Sequence, residues 1–172
     1  PDILRQALTE GKRRGLFFSI MDASLAIPPQ EGPNRGEKFG YPWWTVVDDE
    51  YKGVRIDGQP IVGVESKSCP NHPEVRQYVL ARLRDIIEHY PEIDALYVDH
   101  LEFPTYTLED SFSCFCPHCM AAAKRMGIDL EAIRADLLPY FERLNRLKAA
   151  QLYEVFCHDS FRALSQFRWE SI

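Results

Sequence analysis

Apolar positions change period several times along the chain, and each change predicts an element. Ile3, Leu4, Ala7 and Leu8 fall at i, i+1, i+4 and i+5, which predicts a short amphipathic helix closed by Gly11. Gly15 then releases Leu16-Phe17-Phe18-Ser19-Ile20-Met21, a short apolar run that reads as a buried strand ending at Asp22. From Ala23 to Asn71 the periodicity dissolves. Pro28, Pro29, Pro33, Pro42, Pro60 and Pro70 interrupt it, so this is a working loop or an insertion with small strands of its own. Trp43-Trp44-Thr45-Val46-Val47 and Pro60-Ile61-Val62-Gly63-Val64 are the candidate strands of a small hairpin within it.

Order returns at Pro73, a favourable first helical residue because its missing N–H would have had no partner. Val75, Val79, Leu80, Leu83, Ile86, Ile87 and Tyr90 keep a three-and-four spacing, which predicts a helix over 73–90. Pro91-Glu92-Ile93-Asp94 forms a turn, and Ala95-Leu96-Tyr97-Val98-Asp99 a second buried strand. A loop over about 104–119 carries the cysteines. A helix follows from about His118 to Met126, stopped by Gly127, and Asp129 caps the next, which Pro139 interrupts. Residues 140–170 read as one long helix on Phe141, Leu144, Leu147, Leu152, Phe156 and Phe161.

Helix, strand, loop, helix, strand, loop, helices is the order of an α/β protein with parallel strands and crossover connections. A closed (β/α)8 barrel and an open doubly wound sheet both satisfy it. Two strands cannot close a barrel, so residues 1–172 are expected to form the central segment of one barrel domain within a larger protein, with a long loop insertion over about 23–72.

Composition narrows the chemistry. The chain is 45% hydrophobic and 27% charged, which suits a packed core. Its formal net charge is −6 and no Lys/Arg stripe appears, so a nucleic-acid partner is not expected. No apolar run approaches the ~18 residues of a membrane span. Association into homo-oligomers is left open.

The five cysteines carry the strongest signal. Cys114, Cys116 and Cys119 form a C-x-C-x-x-C run turned by Pro117, close enough for one tetrahedral Zn²⁺. Cys69, just before the helix at Pro73, can supply a fourth thiolate, because the start of that helix and the loop after the next strand share the carboxyl-end face of a parallel sheet. His72 and His118 are spare candidates, and Cys157 reads as a buried structural thiol. Four thiolates would close the coordination shell and make the metal structural. Three rival readings stand beside zinc. The cysteines could be structural or inert thiols, Cys116-Pro117-His118-Cys119 has the C-x-x-C form of thiol oxidoreductases of the DsbA type, and a disulfide framework is the third. Zinc–thiolate chemistry leans toward a reducing, cytoplasmic location.

The spacing of Cys69 to Cys114-x-Cys116-x-x-Cys119, after a strand ending in acidic residues, resembles the zinc cluster of glycoside hydrolase family 42 β-galactosidases. The stretch from Cys69 to Tyr78, with Tyr97-Val98-Asp99 and Phe103-Pro104, also looks like related glycosidase-like barrel proteins. The resemblance implies a (β/α)8 barrel, a carbohydrate substrate, structural zinc in the loop after the fourth strand, and hydrolysis of a glycosidic bond. In that family the strand before the cysteine loop ends in Asn-Glu, the Glu being the general acid/base. Glu102-Phe103 is the best match here, although no Asn precedes it, and Asp99 is its rival. The family's nucleophile lies near a seventh strand that this chain does not contain, so the segment alone is expected to be inactive.

Glycoside hydrolysis needs two carboxyl groups flanking the scissile bond, and barrels place such groups at the carboxyl ends of strands. Asp22, Asp99 and Glu102 all sit at or just past such an end. Asp22 is a candidate substrate contact, or a turn-forming cap. Trp43 and Trp44 are a candidate sugar platform, or a local hydrophobic plug. His100 is a candidate hydroxyl donor. The non-hydrolytic alternative is a degenerate barrel that holds carbohydrate without cleaving it.

Overall fold

The computed structural model of the chain describes residues 2–23, 49–61, 68–99, 103 and 107–172. The expected strand over 43–47, residues 62–64 of its partner, Trp43, Trp44, His100 and Glu102 lie outside these residues.

The fold is mixed α/β. Helix α1 (Ile3–Arg13) leads into strand β1 (Ser19–Ala23), and helix α2 (Pro73–His89) leads into strand β2 (Ala95–Asp99). The two strands pair in parallel, Ser19 with Ala95 through Ala23 with Asp99, so β1, α2 and β2 form a βαβ unit. Helices α3 (Pro117–Arg125), α4 (Leu130–Phe141), α5 (Ala149–Cys157) and α6 (Asp159–Glu170) follow. Among the described residues no helix is long and apolar enough to cross a membrane.

Both strands start from one polar clasp. The Phe18 N–H donates to Asp94 Oδ2 at 2.7 Å, the Asp94 N–H returns a bond to the Phe18 carbonyl at 2.9 Å, and Lys12 pairs with Asp94. Asp2 caps α1 by accepting from the Arg5 N–H at 2.9 Å, while Arg5 reaches the His89 carbonyl at the end of α2. Helix α1 does not stop at Gly11. It runs to Arg13 with Gly11 buried inside, because the Phe18 ring lies where a side chain would go, 2.1 Å from a Cβ built there. The strand predicted from Leu16 begins at Ser19, which leaves Leu16 and Phe17 exposed.

Alternation along the strands gives the sheet two different faces. Asp22 turns toward α2 and pairs with Arg82 at 2.9 Å, both side chains being largely buried. Met21 and its register partner Tyr97 lie on the other face, 61% and 55% exposed. Asp99 shares the parity of Tyr97 and so belongs to that open face.

The main core lies in the helical half. Phe112, Leu130, Leu137, Leu164 and Phe167 are fully buried there, in one apolar cluster with Cys69, Cys114, Cys116 and Cys119. The long helix predicted over 140–170 is three pieces instead. After α4 come a 3-10 turn (Leu144–Arg146), then α5 and α6. Two cap residues in extended conformation make the breaks. The Lys148 N–H donates to Gln151 Oε1 at 3.0 Å, and the His158 Nδ1 accepts from the Ser160 N–H at 3.2 Å. The breaks turn the helical hairpin back on itself, so that Ser160 Oγ donates to Asp136 of α4 at 2.7 Å. Pro139 sits in the last turn of α4, which ends at Phe141. Cys157, expected to be buried, is only half-buried at the end of α5.

Phe112 joins the cysteine loop to this layer, with its ring edge-on to Phe141 at 5.6 Å and Phe161 at 5.5 Å. Replacing it by Ala is expected to cost ~3–5 kcal/mol of unfolding free energy, read by urea denaturation at fixed metal content. A loss within the ~0.5 kcal/mol typical of surface positions would place the ring outside the core.

Candidate metal centre

Two loops leaving the carboxyl ends of β1 and β2 deliver four sulfurs to one point. The first ends at Cys69, whose N–H donates to the Tyr51 carbonyl at 2.7 Å. A tight turn follows, closed by the His72 N–H on the Cys69 carbonyl at 3.0 Å. His72 then caps α2 through its Nδ1, which accepts from the Glu74 N–H at 3.2 Å, with Pro73 at the first helical position.

The second loop passes through a buried 3-10 turn (Asp110–Phe112) and pairs antiparallel with residues 54–56. The Phe115 N–H donates to the Val54 carbonyl and the Ile56 N–H to the Phe112 carbonyl, both at 2.8 Å. This pairing aims the Val54 N–H at Cys114 Sγ, 3.2 Å away. Gly53 leaves room for Ile61, since a Cβ there would fall 2.6 Å from Ile61 Cδ1, while Cys114 Sγ, 3.6 Å away, would be in ordinary contact. Arg134 of α4 holds the far end of the segment by donating to the Ile56 carbonyl at 2.9 Å. Cys116 is the N-cap of α3, and its sulfur accepts from the Cys119 N–H at 3.4 Å. The positive end of that helix therefore faces the cluster.

Cys69 Sγ lies 3.4 Å from the sulfurs of Cys116 and Cys119 and 3.8 Å from that of Cys114. All four ligand atoms fall within 4.8 Å of one another, and all four residues are buried. A tetrahedron with ~2.3 Å metal–sulfur bonds has edges of ~3.8 Å, so the four sulfurs can hold one metal ion with little movement. Cys69 is the fourth member of the group, as its position before α2 predicts. His72 and His118 stand beside it as a ring pair, centroids 4.2 Å apart and edge-on. Burial first, and then the neighbouring His118, lowers the His72 imidazole below its ordinary value.

The sulfurs do not ionise independently. Hydrogen bonding from Cys114 first, then Cys119 and Cys69, holds Cys116 far below the ordinary thiol range. Contact with Cys114 and then Cys116 pushes Cys119 and Cys69 upward. Cys116 is thus favoured to carry charge, and Cys69 and Cys119 are disfavoured. Four thiolates in so small a buried volume would need a cation between them, and the sulfurs lie close enough to hold one.

The carboxylates divide. Asp22 is engaged by Arg82 on the helix-facing side of the sheet, a pairing that accounts for it without a ligand. Asp99 ends β2 on the open face, beside Ala23 of β1 in register. Glu102, His100, Trp43 and Trp44 lie outside the described residues. Two residues that the spacing of cysteines does not reveal complete the centre: Val54, whose backbone N–H reaches Cys114, and Asn71, whose Nδ2 lies 3.5 Å from Cys119 Sγ. The only trace of Asn71 in the sequence is its place two residues after Cys69 in a Pro-bounded turn.

Tyr51 buttresses the Cys69 loop and offers a test of it. Its hydroxyl donates to Glu74 at 2.9 Å, and this bond, then burial and Glu50, pushes the phenol up to about 12. The folded chain thus keeps this proton where the unfolded chain, near ~10, has lost it. The stabilisation is complete below about pH 10 and lost as the pH rises to about 12. Titration of tyrosinate absorbance is expected to show a late-ionising component that Tyr51→Phe removes; an unchanged curve would contradict the contact. No family model, curated protein or solved structure matches the chain.

Proposed function

We propose that Cys69, Cys114, Cys116 and Cys119 hold a structural Zn²⁺, and that the chain is the zinc-pinned part of a glycosidase-like (β/α) barrel hydrolysing a glycosidic bond. The observation that carries the metal is the set of four buried sulfurs within 4.8 Å, delivered by two loops from the carboxyl ends of parallel strands. An all-thiolate tetrahedral set selects Zn²⁺ or iron, and zinc suits a closed site with no open position. The ion has no place for water or substrate. Its work is to fix the two loops that flank the end of β2.

The hydrolase part of the reading rests on the resemblance of the cysteine pattern and on the position of Asp99. Parallel pairing with a crossover helix on one face is compatible with a barrel wall as with an open doubly wound sheet, and in a barrel a strand-end carboxylate on the other face would lie where such enzymes carry catalytic groups. In this reading Glu102 or Asp99 protonates the leaving oxygen or attacks the anomeric carbon, and the second carboxylate comes from outside these residues. Trp43, Trp44 and His100 would contact the sugar. A barrel that binds carbohydrate without cleaving it uses the same groups and differs only in lacking the second carboxylate.

Burial weighs against the thiol oxidoreductase reading. Cys116 and Cys119 do open a helix, but they are 4% and 0% exposed, and two further thiols crowd them. A partner disulfide needs in-line access to the attacking sulfur.

Elemental analysis of the reduced protein is expected to give about one zinc per chain. Cys69→Ser should lower that content or weaken binding at least about tenfold in chelator competition, while Cys157→Ser leaves it unchanged. Absence of zinc together with ready Cys116–Cys119 disulfide cycling would instead put the redox reading first. For the hydrolase reading, the protein containing this segment is expected to cleave aryl β-galactosides. Glu102→Gln or Asp99→Asn should lower turnover at least about 10²-fold with zinc content intact. Sugar binding without turnover would favour the non-hydrolytic barrel, and neither binding nor turnover would sink both carbohydrate readings.

A further inference from the structure

Asn71 stands between the sulfur cage and the end of the last helix. Its Nδ2 is 3.5 Å from Cys119 Sγ and 3.1 Å from Ser171 Oγ, so the two amide hydrogens serve two different elements. The orientation of the amide is set by Arg76. The guanidinium has only donors and lies 3.4 Å from Asn71 Oδ1, which leaves the nitrogen to face the sulfur and the hydroxyl. Arg76 is itself braced, donating through Nε to the Pro70 carbonyl at 2.8 Å and through Nη2 to the Ser171 carbonyl. Ser171, the C-cap of α6, is buried although it lies beside exposed Trp169 and Ile172. The last turn of α6 is thus latched by polar contacts to the loop that delivers Cys69.

We infer that Asn71 is a positioning residue of the metal centre that couples metal loading to docking of the C-terminal turn of α6, Arg168–Ile172. The inference rests on the four-cysteine metal reading. A metal-bound sulfur carries more negative charge than a thiol and accepts a hydrogen bond more strongly. Loading the cage therefore tightens the Asn71 contact to Cys119, and the other hydrogen of the same amide holds Ser171. By linkage the coupling is reciprocal: whatever binds or frees the α6 terminus changes metal affinity. The segment that closes the helical layer then reports on a site otherwise sealed from solvent.

The test uses the protein loaded with Co²⁺ and with Zn²⁺. Asn71→Ala is expected to shift the sulfur-to-cobalt charge-transfer band to lower energy and to weaken metal binding about tenfold in chelator competition. Ser171→Ala, which does not touch sulfur, should weaken it less and in the same direction. Hydrogen exchange at amides 168–172, normalised to core amides of α4, should slow on metal loading in the unaltered protein and lose that response in Asn71→Ala. A merely structural Asn71 would lower stability and leave the cobalt band in place, and that result overturns the inference. Equal exchange at 168–172 with and without metal overturns it too. If Asn71→Ala does not fold, unchanged metal affinity in Ser171→Ala decides against it. No metal in the unaltered protein would bring down the metal reading itself, a failure separable from all of these.

Discussion

Four sulfur atoms within 4.8 Å of one another, in a place water does not reach, impose the constraint on which the rest of this chain depends. As neutral thiols they would be only weak hydrogen-bonding partners for one another. As thiolates without a counter-ion they would repel strongly at low dielectric. A cation between them would remove that repulsion, and the N–H groups of Val54, Cys119 and Asn71 are aimed at three of the sulfurs. The cage is also no island. Its cysteines belong to the same apolar cluster as Phe112, Leu137, Leu164 and Phe167, so order at the metal centre and order in the helical layer are one property.

The cage organises the carboxyl end of the sheet. The loop after β1 reaches it through Cys69 and the loop after β2 through Cys114, Cys116 and Cys119, and residues 54–56 pair with the second loop to close the gap between them. Each loop is then fixed at one end by a strand and at the other by a helix cap at the centre: His72 for α2, Cys116 for α3. Of the proposed catalytic carboxylates, Asp99 ends β2 and Glu102 follows three positions later in the sequence. A pinned loop is what a strand-end carboxylate needs if it is to meet a glycosidic oxygen at a set distance.

The sheet adds a distinction that concerns function directly. Asp22 and Asp99 both stand at strand ends, and by that criterion they are equivalent. Pleating separates them: Asp22 faces α2 and Arg82, whereas Asp99 shares the open face with Tyr97 and Met21. The βαβ unit therefore has one face committed to its own helix and one that is not. That asymmetry is expected of a wall in a larger α/β architecture, whether barrel or open sheet.

Much of this was legible in the residues alone, because the signals were local. The run of Val75, Val79 and Leu83 on one face and Pro73 at its start define α2, and Ala95 to Asp99 is too short and too apolar to be anything but a strand. The C-x-C-x-x-C spacing confines three sulfurs by covalent geometry, and α/β topology brings Cys69 to the same end of the sheet. Other features depended on contacts between distant segments. Gly11 lies within α1, where the Phe18 ring packs on it and leaves no room for a side chain. Residues 140–170 break at Lys148 and His158, which lets α6 fold back on α4, a demand that helical periodicity does not express. Pairing of residues 54–56 with the cysteine loop, the Asp22–Arg82 bond, and the bridge from Asn71 to Ser171 across 100 positions have no sequence signature. What the sequence determined by itself was which residues can make helices, strands and a sulfur cage. Only the tertiary structure decided which side chains face the cage and which the open sheet, since long-range approach is set by packing rather than by spacing along the chain.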